Sequence, residues 1–124
     1  MQTQLKKILI IDDDSRNIFA LKAVLTAKKY ACLAANSAAE GFDIIKNEGD
    51  VAVVLLDMMM PEMDGYQALA KMKQDADLRD IPVIAVTAQA MVGDKERCLD
   101  AGATGYISKP VNVEELIKLL NNYL

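Results

Sequence analysis

The chain reads as an α/β domain in which a five-stranded parallel sheet is covered by helices on both faces. Three observations predict this. Five short apolar runs are each followed by a stretch with helical spacing, and strand–helix alternation of that kind builds parallel sheets. The runs at 51–56 (VAVVLL) and 82–87 (PVIAVT) are apolar without alternation, as strands buried on both faces must be. The connections are short, and no repeat, linker or low-complexity tract interrupts the 124 residues, so one domain over 1–124 is expected.

The first strand is expected at Lys7–Ile11, with a helix from Ser15 to Lys28. The second strand spans Tyr30–Ala34. Its helix opens on Ser37-Ala-Ala-Glu40, a capping-box pattern that satisfies otherwise unpaired amides. The third strand covers Val51–Leu56, with a helix from about Tyr66 to Gln74. The fourth covers Pro82–Thr87, with a helix from about Gly93 to Ala101 that stops before Gly102. The fifth is Gly105–Ser108. A last helix starts near Asn112-Val-Glu-Glu115 and carries Leu116, Leu119 and Leu120 at helical spacing.

Composition excludes several function classes. The net charge of −4 opposes binding to a nucleic-acid backbone, which needs a basic footprint. No apolar run approaches the roughly 20 residues of a membrane span. The opening MQTQLKKILII lacks the small-residue cleavage site of a secretion signal. Cys32 and Cys98 lie far apart and outside any Cys-x-x-Cys pattern, so two buried reduced thiols of a cytoplasmic protein are expected. There is no histidine, which removes Ser-His-Asp and Cys-His catalysis and any chain phosphorylated on its own imidazole.

In an open parallel sheet the working site lies beyond the carboxyl ends of the strands. Here those ends carry Asp12, Asp13 and Asp14, then Asp57, then Thr87, then Ser108, Lys109 and Pro110. The second strand ends in Ala35-Asn36, which offers little chemistry. A strand order of 2-1-3-4-5 brings the four chemical ends together. Asp12, Asp13 and Asp57 would then repel one another by several kcal/mol unless a cation sat among them. A hard divalent cation with few oxygen ligands suits Mg²⁺, with Mn²⁺ as its substitute. Lys109 and Thr87 suit an anion, one supplying a point charge and the other a hydroxyl, so that Asp57 can act as a phosphoryl-accepting nucleophile. Taken singly each residue is weak: an aspartate after a strand is most often a cap or a turn residue. Asp14 reads as such a cap, and Asp64 as the turn residue of Asp64-Gly65. The conjunction of four strand ends carries the inference.

Four segments carry a family resemblance. ILIIDDDSRN, VVLLDMMMPEMDG, PVIAVTA and GYISKPV resemble, in order, the acidic-pair, phosphoacceptor, switch-hydroxyl and lysine segments of bacterial two-component response-regulator receiver domains. The resemblance covers essentially the whole chain and implies a flavodoxin-like, CheY-like (βα)5 fold. It implies Mg²⁺ held by Asp13 directly, by Asp12 partly through water, by Asp57 and by the carbonyl of Met59. It implies phosphate received from a histidine kinase or histidine phosphotransfer protein, and a rearrangement of Thr87 and Tyr106 that alters the surface of the fourth helix, fifth strand and fifth helix for a downstream protein target. It also implies a cis peptide before Pro110 and a turn at Pro61 and Gly65. Such a chain is not an enzyme beyond catalysing its own phosphorylation and dephosphorylation.

Other readings compete. A scaffolding receiver would work without phosphate. An aspartyl-phosphate hydrolase normally has a second aspartate two residues after its nucleophile, where this chain has Met59, and a cap domain, which this chain lacks. A flavin or nucleotide binder would need a glycine-rich loop after the first strand. Either a free-standing regulator or a receiver from a hybrid kinase fits.

In the first helix, Ala20, Leu21, Val24 and Leu25 define one apolar face. Ile18 lies at its edge and Phe19 nearly opposite. Phe19 is either an isolated exposed apolar residue or, with Ile18, a docking spot for the helical bundle that presents phosphohistidine. Met60 reads as core, whereas the Met59 side chain should point outward over the site. Ala88 is small enough to leave access for small anions. Because a thioether cannot orient an attacking water, loss of phosphate from this chain should be slow. The aspartyl-phosphate of the wild type should therefore outlive that of Met59→Asn several-fold in a radiolabel chase; a shorter-lived wild-type phosphate contradicts this.

Overall fold

The computed structural model describes residues 6–88 and 92–124. The first part of the stretch read for a secretion signal lies outside them. Five strands, β1 (Lys7–Ile11), β2 (Ala31–Ala35), β3 (Val51–Asp57), β4 (Val83–Thr87) and β5 (Gly105–Ser108), form one parallel sheet in the order β2-β1-β3-β4-β5. Five helices follow them in turn: α1 (Ser15–Ala27), α2 (Ala38–Glu48), α3 (Gly65–Gln74), α4 (Asp94–Asp100) and α5 (Val113–Leu120). The expected order is the observed one.

Period-two geometry divides the strand side chains between two cores. Leu9, Ile11, Val54, Leu56, Val83 and Ala85 meet Ile45 of α2, Leu69 and Met72 of α3 and Cys98 of α4 on one face. Ile8, Ile10, Val53, Leu55, Ile84 and Val86 meet Leu25 of α1 and Leu116 and Leu120 of α5 on the other. Residues 8–11 and 53–56 are therefore buried from both sides, which is why these runs show no polar alternation. Each fully buried Leu or Ile contributes about 1.5–3 kcal/mol. This packing holds the strand ends, and the polar residues beyond them, in place.

The helices start where the sequence supplies caps. Asp14 accepts from the Arg16 amide at 2.9 Å. Ser37 accepts from the Glu40 amide at 3.2 Å, and Asn112 from the Glu115 amide at 3.0 Å. Asp64 departs from expectation. It is the N-cap of α3 in a complete capping box, its carboxylate accepting from the Gln67 amide at 2.9 Å while the Gln67 side chain accepts from the Asp64 amide at 3.0 Å. Gly65 is thereby the first helical residue, and it has no room for a side chain: a Cβ there would lie 2.7 Å from the Cα of Met58. β2 begins one residue later than expected, because the Tyr30 amide closes the end of α1 on the Leu25 carbonyl at 3.0 Å instead of joining the sheet.

Other side chains refine the reading. Both cysteines are free, with Cys98 buried but Cys32 only half-buried on the outer strand. Ala20 is exposed. It borders a cleft beneath residues 109–113 together with Leu21 and Val24, so that of the expected α1 face only Leu25 is fully buried. No helix among the described residues is long and apolar enough to cross a membrane.

Candidate functional site

The carboxyl ends of β1, β3, β4 and β5 lie side by side, and register carries their polar residues to one edge. Ile11 pairs with Leu56, Asp57 with Val86, and Thr87 with Ser108. Asp57 is the last residue of β3 and is only 4% exposed although the residues beyond it form a loop. It accepts from the Met59 amide at 3.0 Å, which turns the chain back over the strand end. Asp12 is buried as well and accepts from the Asp14 amide at 2.8 Å. Asp13 is exposed.

Ligand oxygens of Asp12, Asp13 and Asp57 all lie within 4.8 Å of one another. The Lys109 ammonium sits opposite, its Nζ 3.6 Å from Asp12 Oδ2 and 3.8 Å from Asp57 Oδ1. The Lys109–Pro110 peptide bond is cis, and the Lys109 amide donates to the Thr87 carbonyl at 2.8 Å. Thr87 is buried at the end of β4, and Ala88 beside it is exposed.

Burial pushes the Asp57 carboxyl above the usual carboxylate range. The Met59 N–H opposes this, the Asp12 charge adds to it, and Lys109 pulls the other way. The Met59 N–H and the Lys109 ammonium together do not offset burial and the Asp12 charge. The donor set is all hard oxygen with no nitrogen or sulfur, which fits Mg²⁺ or Mn²⁺ rather than a softer metal.

The methionines divide as expected. Met58 and Met60 are buried in the core, while Met59 is 49% exposed. Ile18 is half-buried against the cluster under α1. Phe19 is 77% exposed and borders a shallow depression with Lys22, Ala23 and Thr26.

Tyr106 makes a contact that sequence reasoning missed. Its hydroxyl donates to Asp94 Oδ2 at 3.0 Å, and the Tyr66 hydroxyl donates to Asp94 Oδ1 at 3.3 Å. Asp94 has no role assigned from the sequence, and nothing local links it to residues 66 and 106.

The response regulator receiver domain family matches residues 8–121. The chain belongs to that family, and it is a receiver domain of two-component signalling. Polar-differentiation response regulator DivK of Brucella ovis is 36% identical over 119 residues, 96% of each chain. The CheY-like response regulator receiver domain protein of Methanospirillum hungatei has a TM-score of 0.83 at 34% identity over 96% of this chain and 93% of its own. The receiver domain of Ssk1 from Saccharomyces cerevisiae was solved in complex with the histidine phosphotransfer signalling protein Ypd1. It shares the fold at 23% identity, with a TM-score of 0.83 over 99% of this chain and 91% of its own.

The raised Asp57 carboxyl has a consequence for stability. Between the ordinary carboxylate range and the raised value, the folded protein binds more protons than the unfolded chain, so stability falls as pH rises through that window. Above it the ionised Asp57 is a standing cost. In metal-free buffer at neutral pH, Asp57→Asn should therefore melt higher than the wild type, by about 4 °C for each kcal/mol relieved. The difference should shrink as pH falls through the raised value. Calorimetry at a series of pH values checks this; an Asp57→Asn protein that melts lower throughout contradicts it.

Proposed function

We propose that this chain, as a single receiver unit over residues 1–124, is a phosphorylation-controlled switch that accepts phosphate on Asp57 from a partner phosphohistidine. The observation that carries the reading is the convergence of Asp12, Asp13 and Asp57 within 4.8 Å, with Lys109 Nζ 3.8 Å from the Asp57 carboxylate. A carboxylate at the floor of a rigid strand end is an oriented nucleophile. An Asp57 oxygen attacks the phosphorus, the P–N bond to the donor imidazole breaks, and the imidazole leaves with the electron pair. Lys109 turns from Asp12 and Asp57 to a phosphoryl oxygen, and the Thr87 hydroxyl binds another. Asp12, Asp13, Asp57 and the Met59 carbonyl would hold Mg²⁺ or Mn²⁺. That ion, when bound, neutralises the carboxylates and the negative charge of the phosphoryl group.

The donor is a histidine kinase or a histidine phosphotransfer protein. Ile18 and Phe19, on the helix beside the site, would form part of its docking surface. After modification, Thr87 and Tyr106 rearrange and the α4-β5-α5 surface changes for a downstream protein. The chain turns over no separate substrate and works in the cytoplasm.

Incubation with acetyl phosphate and Mg²⁺, followed by intact-mass analysis, tests the reading. One phosphoryl group should appear on the wild type, fail to appear when a chelator is present from the start and be absent from Asp57→Asn. An unmodified wild type, or steady hydrolysis of unrelated phosphomonoesters, contradicts it.

A further inference from the structure

Asp94 is the first residue of α4, a position where an acidic side chain usually faces solvent near the unpaired amides of the helix start. Here it is only 8% exposed. Gly93, in the left-handed region at φ 87°, brings the chain into the helix. The carboxylate instead uses both oxygens on tyrosine hydroxyls from two other elements, Tyr66 in the first turn of α3 and Tyr106 in the middle of β5. Burial pushes both phenols up to about 12, so both remain donors at any physiological pH.

The two tyrosines are not equally held. Tyr66 is further tied to α4, its hydroxyl 3.7 Å from Cys98 Sγ and its ring centroid 5.0 Å from the Arg97 guanidinium carbon. It anchors α4 to the helix that begins where the loop after Asp57 ends. Tyr106 stands on the strand that leads to Lys109, two residues before Ser108, the register partner of Thr87.

We propose that Asp94 is a latch: a positioning residue that, anchored through Tyr66, holds Tyr106 in its pre-switch orientation and so sets how readily modification of Asp57 switches the molecule. This rests on reading Asp57 as the phosphoacceptor and Tyr106 as its relay. The Tyr106 ring cannot reorient without giving up its bond to Asp94 Oδ2. A bond to a buried carboxylate is a strong one. The ligand that drives the switch must supply that cost, and its apparent affinity falls accordingly.

The test is a calorimetric titration with beryllofluoride and Mg²⁺, a stand-in for the phosphoryl group. Asp94→Ala should bind the adduct about tenfold more tightly than the wild type. Tyr106→Phe, which loses one hydroxyl and keeps the ring, should also gain. Asp94→Asn, whose amide oxygen can still accept from one tyrosine, should fall between. A role in folding alone would lower the melting temperature and leave adduct affinity unchanged or weaker; that result in a folded variant overturns the latch.

A second readout needs no adduct. Side-chain NMR of free protein should show one χ1 rotamer for Tyr106 in the wild type and rotamer averaging in Asp94→Ala. A single unchanged rotamer overturns the latch even if the wild type takes no beryllofluoride, an outcome that would count separately against Asp57 as acceptor.

Discussion

Three carboxylates at one end of a sheet, two of them buried, repel one another. The rest of the architecture is the means of keeping them there. In water such groups would move apart at little cost. Here Asp12 and Asp57 are fixed by strands whose neighbouring residues are fully buried from both sides, so moving a carboxylate means disturbing two cores. Their amide partners, Asp14 N–H and Met59 N–H, are supplied by the loops that leave the same strands. Lys109 faces both buried carboxylates, yet burial first and the Asp12 charge second keep the Asp57 carboxyl above its ordinary range. That negative charge favours a divalent cation, and an anionic phosphoryl group is then met by the cation and by Lys109.

The fold separates holding from switching. β1 and β3 are interior strands, and they bear the carboxylates. β4 and β5 lie toward one side of the sheet and bear Thr87, Tyr106 and Lys109. On one face they are backed by α4, a helix of seven residues whose buried side chains are Asp94 and Cys98, and on the other by Leu116 and Leu120 of α5. The Tyr66–Asp94–Tyr106 hydrogen bonds run across this side and join the helix after Asp57 to the strand before Lys109.

Much of the fold and the site was legible in the sequence for identifiable reasons. Apolar runs without alternation marked strands covered on both faces, and the residues just past them named the site once strand order was assigned. Asp57, Asp12, Asp13 and Lys109 could be brought together because strand ends are set by topology, which the strand–helix pattern reveals. What escaped was set by contacts between elements. Asp64 read as a turn residue because its cap depends on where α3 begins. Ala20 read as part of one apolar face because helical periodicity assigns a face without saying how far the sheet extends beneath it. Asp94 drew no notice because its partners, at 66 and 106, meet it only after α3, α4 and β5 have packed.

The convergence itself is most directly tested by counting bound Mn²⁺ by electron paramagnetic resonance as the metal-free protein is titrated. The account predicts one ion per chain, displaced by Mg²⁺ and bound far more weakly by Asp13→Asn and Asp57→Asn. A wild type that binds no Mn²⁺, or binds it as well after either substitution, would contradict it.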